Sequence, residues 1–396
     1  MLILIGKTTF MLLKALILCL VLIPVEVGFL QAQDISYSYQ ELFRIGDSEE
    51  FDENYSFAFP YYIAVGEEGW IYVSDWRLNE VRIFNAEGTF INKIGERGRG
   101  PGEFHEISTM YIDPSQNHLI VVDRMNLRVT RFDMNGKYLE THLLPEGPVI
   151  SPWLGRADQE GNHYLLYRIP VMPNQPRPED DQLVHVYTPD FSELSGSAYD
   201  ILLYGDLDNY FVDSMIGAPM PYTGLFELLN EEIQMIAAPF LYTGEIFHFE
   251  LINGHWQSKH TLKGVRHEGE AYRQIDASNT PQYAIRMGTP RGTIAGLVFS
   301  ASIGIHQINE NILAHYVHFQ NEDHTSGEIG VSLFDLSTGS HLGYTKIEEL
   351  SRNHNEPTQT GWNIQVKYAQ GNKIYFVDHR YEEPHVVVAE IEFDWD

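Results

Sequence analysis

Cysteine is almost missing: Cys19 is the only one in 396 residues, and it lies inside an apolar run near the start. Lysine and arginine are scarce as well, 26 against 55 aspartates and glutamates, for a net charge of −29. Each shortage excludes something. With no thiol beyond Cys19, the rest of the chain forms no disulfide, no thiolate metal site and no cysteine nucleophile. A surface this negative repels phosphate backbones and anionic lipid, so nucleic acid is excluded as a partner. The charge itself suits solubility in a saline habitat or, alternatively, a cationic partner. Sequence motifs for chemistry are also lacking: there is no zinc-protease helix motif, no phosphate loop and no GxSxG elbow. Asp206, Asp208, Asn209 and Asp213 imitate a calcium loop only in their acidity, since the mid-loop glycine is missing. His315 and His318 stand three apart on an expected strand, point to opposite faces and cannot jointly grip a metal. No catalytic residue, metal ligand or cofactor is assigned.

What is present begins with an address. Lys7 and Lys14 precede an apolar run from Ala15 to Val25, which is too short for a spanning helix and reads as the core of a signal peptide over residues 1–32. Cleavage after Ala32 fits, although Leu30 is larger than the small residue usually preferred there. An uncleaved anchor is the alternative. Cys19 follows Leu18 and leads into further apolar residues, which does not suit lipidation. The expectation is an exported protein, periplasmic or extracellular, with no membrane insertion once the leader is removed.

Residues 33–396 are expected to form one all-β domain. With a constant offset of 48, residues 60–95 superpose on 108–143 without a gap: Asp75 meets Asp123, Val81 meets Val129, Phe84 meets Phe132, Gly88 meets Gly136 and Phe90 meets Tyr138. Each unit holds four short β-rich runs parted by turn signals, the first being YYIAV, WIYVS, EVRIF and TFINKI. Repeated four-stranded units of this length are the sequence signature of a propeller, because one such sheet cannot hide both faces and must stack on a neighbour. Weaker copies place unit starts near 58, 106, 150, 222, 300 and 361. The last unit offers only IQVKYA, IYFVD and HVVVAEIEF, so a strand near Leu42 to Ile45 is predicted to complete it and close the ring. The fold class is therefore a six-bladed β-propeller of four-stranded antiparallel blades, expected as a monomer.

At this point the residues resemble a family. GWIYVSD followed by EVRIF, and residues 95–104 (GERGRGPGEF), resemble NHL repeats, and Asp123, Asn126, Arg128, Val129 and Phe132 fit the repeat's spacing. The first unit departs from it, with Glu80 where Arg is usual and Asn79 displaced by one. The clear resemblance covers residues 42–145, with repeats at 58–105 and 106–145. The whole exported chain is similar to the six-bladed, TolB-like propellers of environmental bacteria, a resemblance that implies a fold but no settled activity.

Asp75, Asp123 and Asp378 end the second strand of their units, where a short carboxylate can accept hydrogen bonds from turn N–H groups. Gly95, Gly98, Gly100 and Gly102 are expected to supply φ > 0 in a crowded crossing stiffened by Pro101. In such a blade the turn between strands two and three and the crossing to the next blade emerge on one side. That side receives the long segments 168–182, 204–221, 264–293, 320–329 and 350–361. It also carries Trp76, Arg77, Arg97, Arg99, Arg124, His379 and Arg380, a basic and aromatic cluster suited to an anionic or sugar-like ligand. The alternative is that these arginines brace neighbouring acidic loops. The expected function is a non-catalytic binding or scaffold propeller for a protein, small-molecule or glycan ligand at that rim. The rival is a metal-dependent lactonase or lyase with a divalent ion in the channel, for which the innermost strands offer Glu227, His306, Asn309 and Asn363.

Overall fold

The computed structural model describes residues 34–46, 51–144, 152–167, 182–192, 194–200, 224–229, 234–253, 255–281, 283–289, 292–353, 363–380 and 383–395. The signal-peptide segment, the acidic stretch 206–213 and the long segments 168–181, 201–223 and 354–362 lie outside them.

β1 (Ser36–Ile45) comes first. Blade 1 is β2 (Pro60–Val65), β3 (Ile71–Asp75), β4 (Glu80–Phe84) and β5 (Phe90–Ile94); blade 2 is β6 (Ile107–Asp113), β7 (His118–Asp123), β8 (Arg128–Phe132) and β9 (Tyr138–Leu143). Blade 3 is β10 (Pro152–Ala157), β11 (His163–Tyr167), β12 (Gln182–Tyr187) and β13 (Leu194–Asp200), and blade 4 is β14 (Gly224–Leu229), β15 (Gln234–Pro239), β16 (Glu245–Ile252) and β17 (His255–Lys263). Next come three strands outside the repeat, β18 (Tyr272–Ile275), β19 (Ile285–Thr289) and β20 (Gly292–Val298), paired in the order β18-β20-β19. Blade 5 is β21 (Ser300–Gln307), β22 (Ile312–Gln320), β23 (Ser326–Asp335) and β24 (Ser340–Lys346), with the short β25 (Arg352–Asn353) added to β23. Blade 6 is β26 (Ile364–Gln370), β27 (Lys373–Asp378) and β28 (His385–Asp394), and β1 supplies its fourth strand.

The closure predicted near Leu42 to Ile45 is longer than expected, running antiparallel from Ser36↔Asp394 to Ile45↔Val386. Among the described residues there is no helix. The innermost strands β2, β6, β10, β14, β21 and β26 each touch the next around the ring, and β26 returns to β2.

Burial follows position within a blade. β3, β4 and β8 are buried throughout, whereas the outermost β5 and β9 are mostly exposed. The core accordingly lies between neighbours. Ile83 and Val81 meet Leu119 and Val121 between blades 1 and 2, and Tyr375, Val377 and Val388 meet Ile63, Val73 and Phe84 where blade 6 meets blade 1. The aligned pairs of the repeat occupy matching places: Asp75 and Asp123 end β3 and β7, Phe84 and Phe132 end β4 and β8, and both Gly88 and Gly136 have positive φ.

Two expectations need correction. Segment 264–293, read as a loop, contains β18, β19 and the start of β20; Leu297 of that sheet and the adjacent Phe299 are buried with Ala284 beside Ile275 and Tyr283. In the glycine-rich crossing, positive φ occurs at Gly95 and Gly102, not at Gly98 or Gly100. At those two the constraint is space: the Glu103 side chain folds back into the loop, its carboxylate accepting from Gly100 N–H at 2.7 Å, and a Cβ on Gly98 would fall on that carboxylate.

Candidate ligand channel

The side on which second-to-third turns and blade crossings emerge carries an aromatic mouth. Phe59, just before β2, is its centre. The His379 ring stacks on it at 4.6 Å, Trp76 meets it edge-on at 6.0 Å, and the Arg77 guanidinium lies 5.8 Å from its centroid. Three of the residues expected at the rim are therefore brought together by one that sequence reasoning missed. Trp76 is 41% exposed, and its Nε1 donates to Glu106 at 3.3 Å. Arg124 pairs with the same Glu106. Arg380 is held by Asp378 at 2.8 Å and by the carbonyls of Glu349 and Leu350. Arg97 and Arg99 stand in the crossing from blade 1 to blade 2, where the backbone of Arg97 bridges to Phe104 and the carbonyl of Arg99 accepts from Arg128.

The aspartates that end second strands hold this rim in shape. Asp75, fully buried, accepts four backbone N–H groups: Ala58 at 2.7 Å and Phe59 at 3.1 Å on one oxygen, Arg77 and Leu78 at 3.0 Å on the other. It thereby ties the segment leading into β2, which carries Phe59, to the turn carrying Trp76 and Arg77. Asp123 repeats the arrangement with the N–H groups of His105, Glu106 and Asn126. Asp378 accepts from the backbone N–H of Arg380 as well as from its guanidinium.

Aromatic rings continue inward along β2. Tyr61 stacks behind Phe59 at 6.0 Å and meets Trp153 of β10 edge-on, also at 6.0 Å. Below them is a layer of charge. Lys367 of β26 places its Nζ 4.0 Å from the Tyr61 centroid and donates to Gln365 Oε1. Arg156 of β10 grips Glu227 of β14 through Nε and Nη2 at 3.0–3.3 Å, and His306 of β21 stands 3.9 Å from the same carboxylate. Burial, outweighing the pull of Glu227, lowers His306 to about 4, so it is neutral at pH 7. Burial, and after it the nearby Arg156, brings the Lys367 ammonium down to about 7. His379, lowered to about 4 by burial and then by Lys367, is neutral as well.

On the other side of this layer, toward the opposite face, lies a cavity of about 510 Å³. Arg156, Glu227, Lys367 and Tyr368 line its inner end, and turn residues such as Glu67 and Asp158 its outer end. Of the four metal-ligand candidates, Glu227 and His306 meet. Asn309 is spent on the β21–β22 turn, its side chain accepting from Asn311 and Ile312 N–H, and Asn363 precedes β26 on the crossing side. A divalent ion would sit beside two cations with Glu227 already engaged, so this donor set does not fit one. Among the described residues no cluster of three or more His, Cys, Asp or Glu could hold a metal ion.

Residues 60–186 match a family described as a 6-bladed beta-propeller. The chain is a six-bladed β-propeller. Among solved structures, a Bacteroides fragilis NCTC 9343 protein assigned as exported shares 13% identity over 92% of this propeller and 97% of its own chain, with a TM-score of 0.52. A member of the DUF4221 family from Bacteroides vulgatus ATCC 8482 shares 10% identity over 91% and 99%, with a TM-score of 0.55. At these identities the likeness is one of fold. A gluconolactonase from Xanthomonas campestris superposes more loosely, with 14% identity over 90% of each chain and a TM-score of 0.46. No curated protein matches the propeller.

Proposed function

We propose that this is an exported, non-catalytic propeller that takes a small molecule, or a glycan or loop of a partner, into its channel from the aromatic mouth. The observations that support the reading are the aromatic cluster of Trp76, Phe59, Tyr61 and Trp153 on one side of the charged layer and, on its other side, a cavity of about 510 Å³, a size ordinary for small-ligand sites. The rim cluster of Trp76, Arg77 and His379 belongs to the same entrance, with Arg97, Arg99, Arg124 and Arg380 around it. Export is supported by the leader-like residues 1–32 and by the description of the B. fragilis neighbour. The NHL-like character of the first two blades is part of the same reading. The lactonase-type alternative is disfavoured by the cations that occupy the place of metal ligands.

Thermal-shift screening of the full chain against neutral and acidic monosaccharides and small organic acids tests the reading. At least one compound should raise the melting temperature of the wild type, and Phe59→Ala should lose that shift. Hydrolysis of lactones that is abolished by a chelator, together with one stoichiometric divalent ion in the purified protein, would overturn it.

A further inference from the structure

We propose that Lys367 anchors the carboxylate of a small ring-bearing carboxylic acid whose ring lies in the adjoining cavity of about 510 Å³, beside Tyr111 and Tyr368. The proposal rests on the channel-binding reading above and names the ligand class for it. Its starting point is an imbalance of charge. An ammonium has three donors and no acceptor. One donor of Lys367 goes to the neutral Gln365 side chain, and the positive head lies over the Tyr61 ring, 5.5 Å from that of Tyr62. Among the described residues no carboxylate pairs with it.

Among the described residues, the neighbouring charged and titratable side chains of this layer carry no further net charge. Arg156 from β10 and Glu227 from β14 neutralise one another through bonds at 3.0–3.3 Å. His306 from β21 and His379 after β27 are held neutral by burial, and burial raises the Tyr368 hydroxyl, which stays protonated at pH 7. The layer is left with one surplus positive charge, inside a chain whose net charge is −29. A single negative charge balances it. A dianion would overshoot, and would also meet the acidic outer end of the cavity at Glu67, Asp158 and Glu160. The cavity that reaches Lys367 is also lined by Ile63, Met110, Tyr111 and Tyr368, apolar and aromatic side chains that favour a ring with an apolar side, either the C–H face of a pyranose or an arene. A monocarboxylate on a ring is the class that meets both demands. Binding should then favour the protonated lysine and weaken as pH rises through 7, because the free ammonium is held down to about 7 while a bound carboxylate stabilises its charged form.

Calorimetric titration of the full chain decides the matter, using glucuronate and phenylacetate as acid probes and glucuronamide and phenylacetamide as their neutral counterparts. At pH 6.0 at least one acid should bind about tenfold or more tighter than its amide, in line with a charge-assisted contact, and the advantage should shrink at pH 8.5. Whichever acid shows the preference identifies the ring as sugar or arene. Lys367→Met should keep a melting temperature at or above that of the wild type, since it removes an uncompensated cation, yet lose the preference. Lys367→Arg should retain the preference at pH 8.5, because a guanidinium does not titrate there. Equal binding of acid and amide by the wild type, or a preference that survives Lys367→Met, overturns the anchor. If the amides bind equally well and Phe59→Ala abolishes both, the channel reading stands and only the anchor falls. If no probe binds, both fall.

Discussion

At the scale of single residues, the propeller depends on short carboxylates that gather backbone donors. Asp75 has no exposed surface and accepts four N–H groups from two segments, so it acts as a clamp between the start of β2 and the β3–β4 turn. Replacing it by asparagine removes the charge and turns one acceptor into a donor facing donors. Asp75→Asn should cost about 2–4 kcal/mol in urea denaturation, consistent with the loss of several bonds to a buried charged group. A cost below about 0.5 kcal/mol, the range of ordinary surface changes, would show that the N–H groups find other partners. Asp75 was legible in the sequence because it recurs at a fixed offset beside turn residues. Lys367 and Arg156 were not. Both sit on innermost strands, β26 and β10, and hydropathy cannot say which side chains of such a strand face the axis. Phe59 was missed for a related reason, since it precedes its strand and carries no motif.

Elements show why the repeat was readable at its start and faint afterwards. In blades 1 and 2 the strands are short, the turns tight and the crossing glycine-rich, so spacing alone aligned them. Gly95 illustrates the constraint, with φ of +86° and the Phe104 ring 2.5 Å from where a Cβ would stand. Blade 4 is followed by the β18–β20 sheet, which breaks the spacing, and nothing in a run such as YRQI separates an added strand from a loop. The closing strand was legible because the final unit came one strand short. β1 forms nine antiparallel residue pairs with β28, interrupted by a bulge at Leu42, and places Ile45 in the core with Phe57 and Val386. Deleting residues 34–46 would strip the last blade of its outer strand and bare an edge. The deletion variant should melt at a markedly lower temperature with a broader transition by circular dichroism; an unchanged, equally sharp transition would mean that β1 is dispensable.

For the molecule as a whole, the buried histidines set the response to acid. Burial is the first cause of the lowered values at His163, His248 and His306, each about 4, and at His315 and His318, each about 3. An unfolded chain takes up these protons near pH 6.5, whereas the folded one resists until pH 4 or below, so acid favours the unfolded state across that window. Melting temperature should hold level above pH 7 and fall steadily from about pH 6.5 to 4. His315→Gln, which can keep a bond to Ser302, should make the fall shallower; an identical pH profile would assign the acid sensitivity to other groups. The ring has a further consequence for how it is made. Ser36 and Asp394 lie 358 positions apart in the chain and end up bonded. A polypeptide emerging from its amino end must therefore carry β1 unmated until β28 is made, so locking the circle is a late and slow event. A circular permutant beginning just before Pro60, with the native ends joined, would make that strand a near neighbour of its mate and should fold faster.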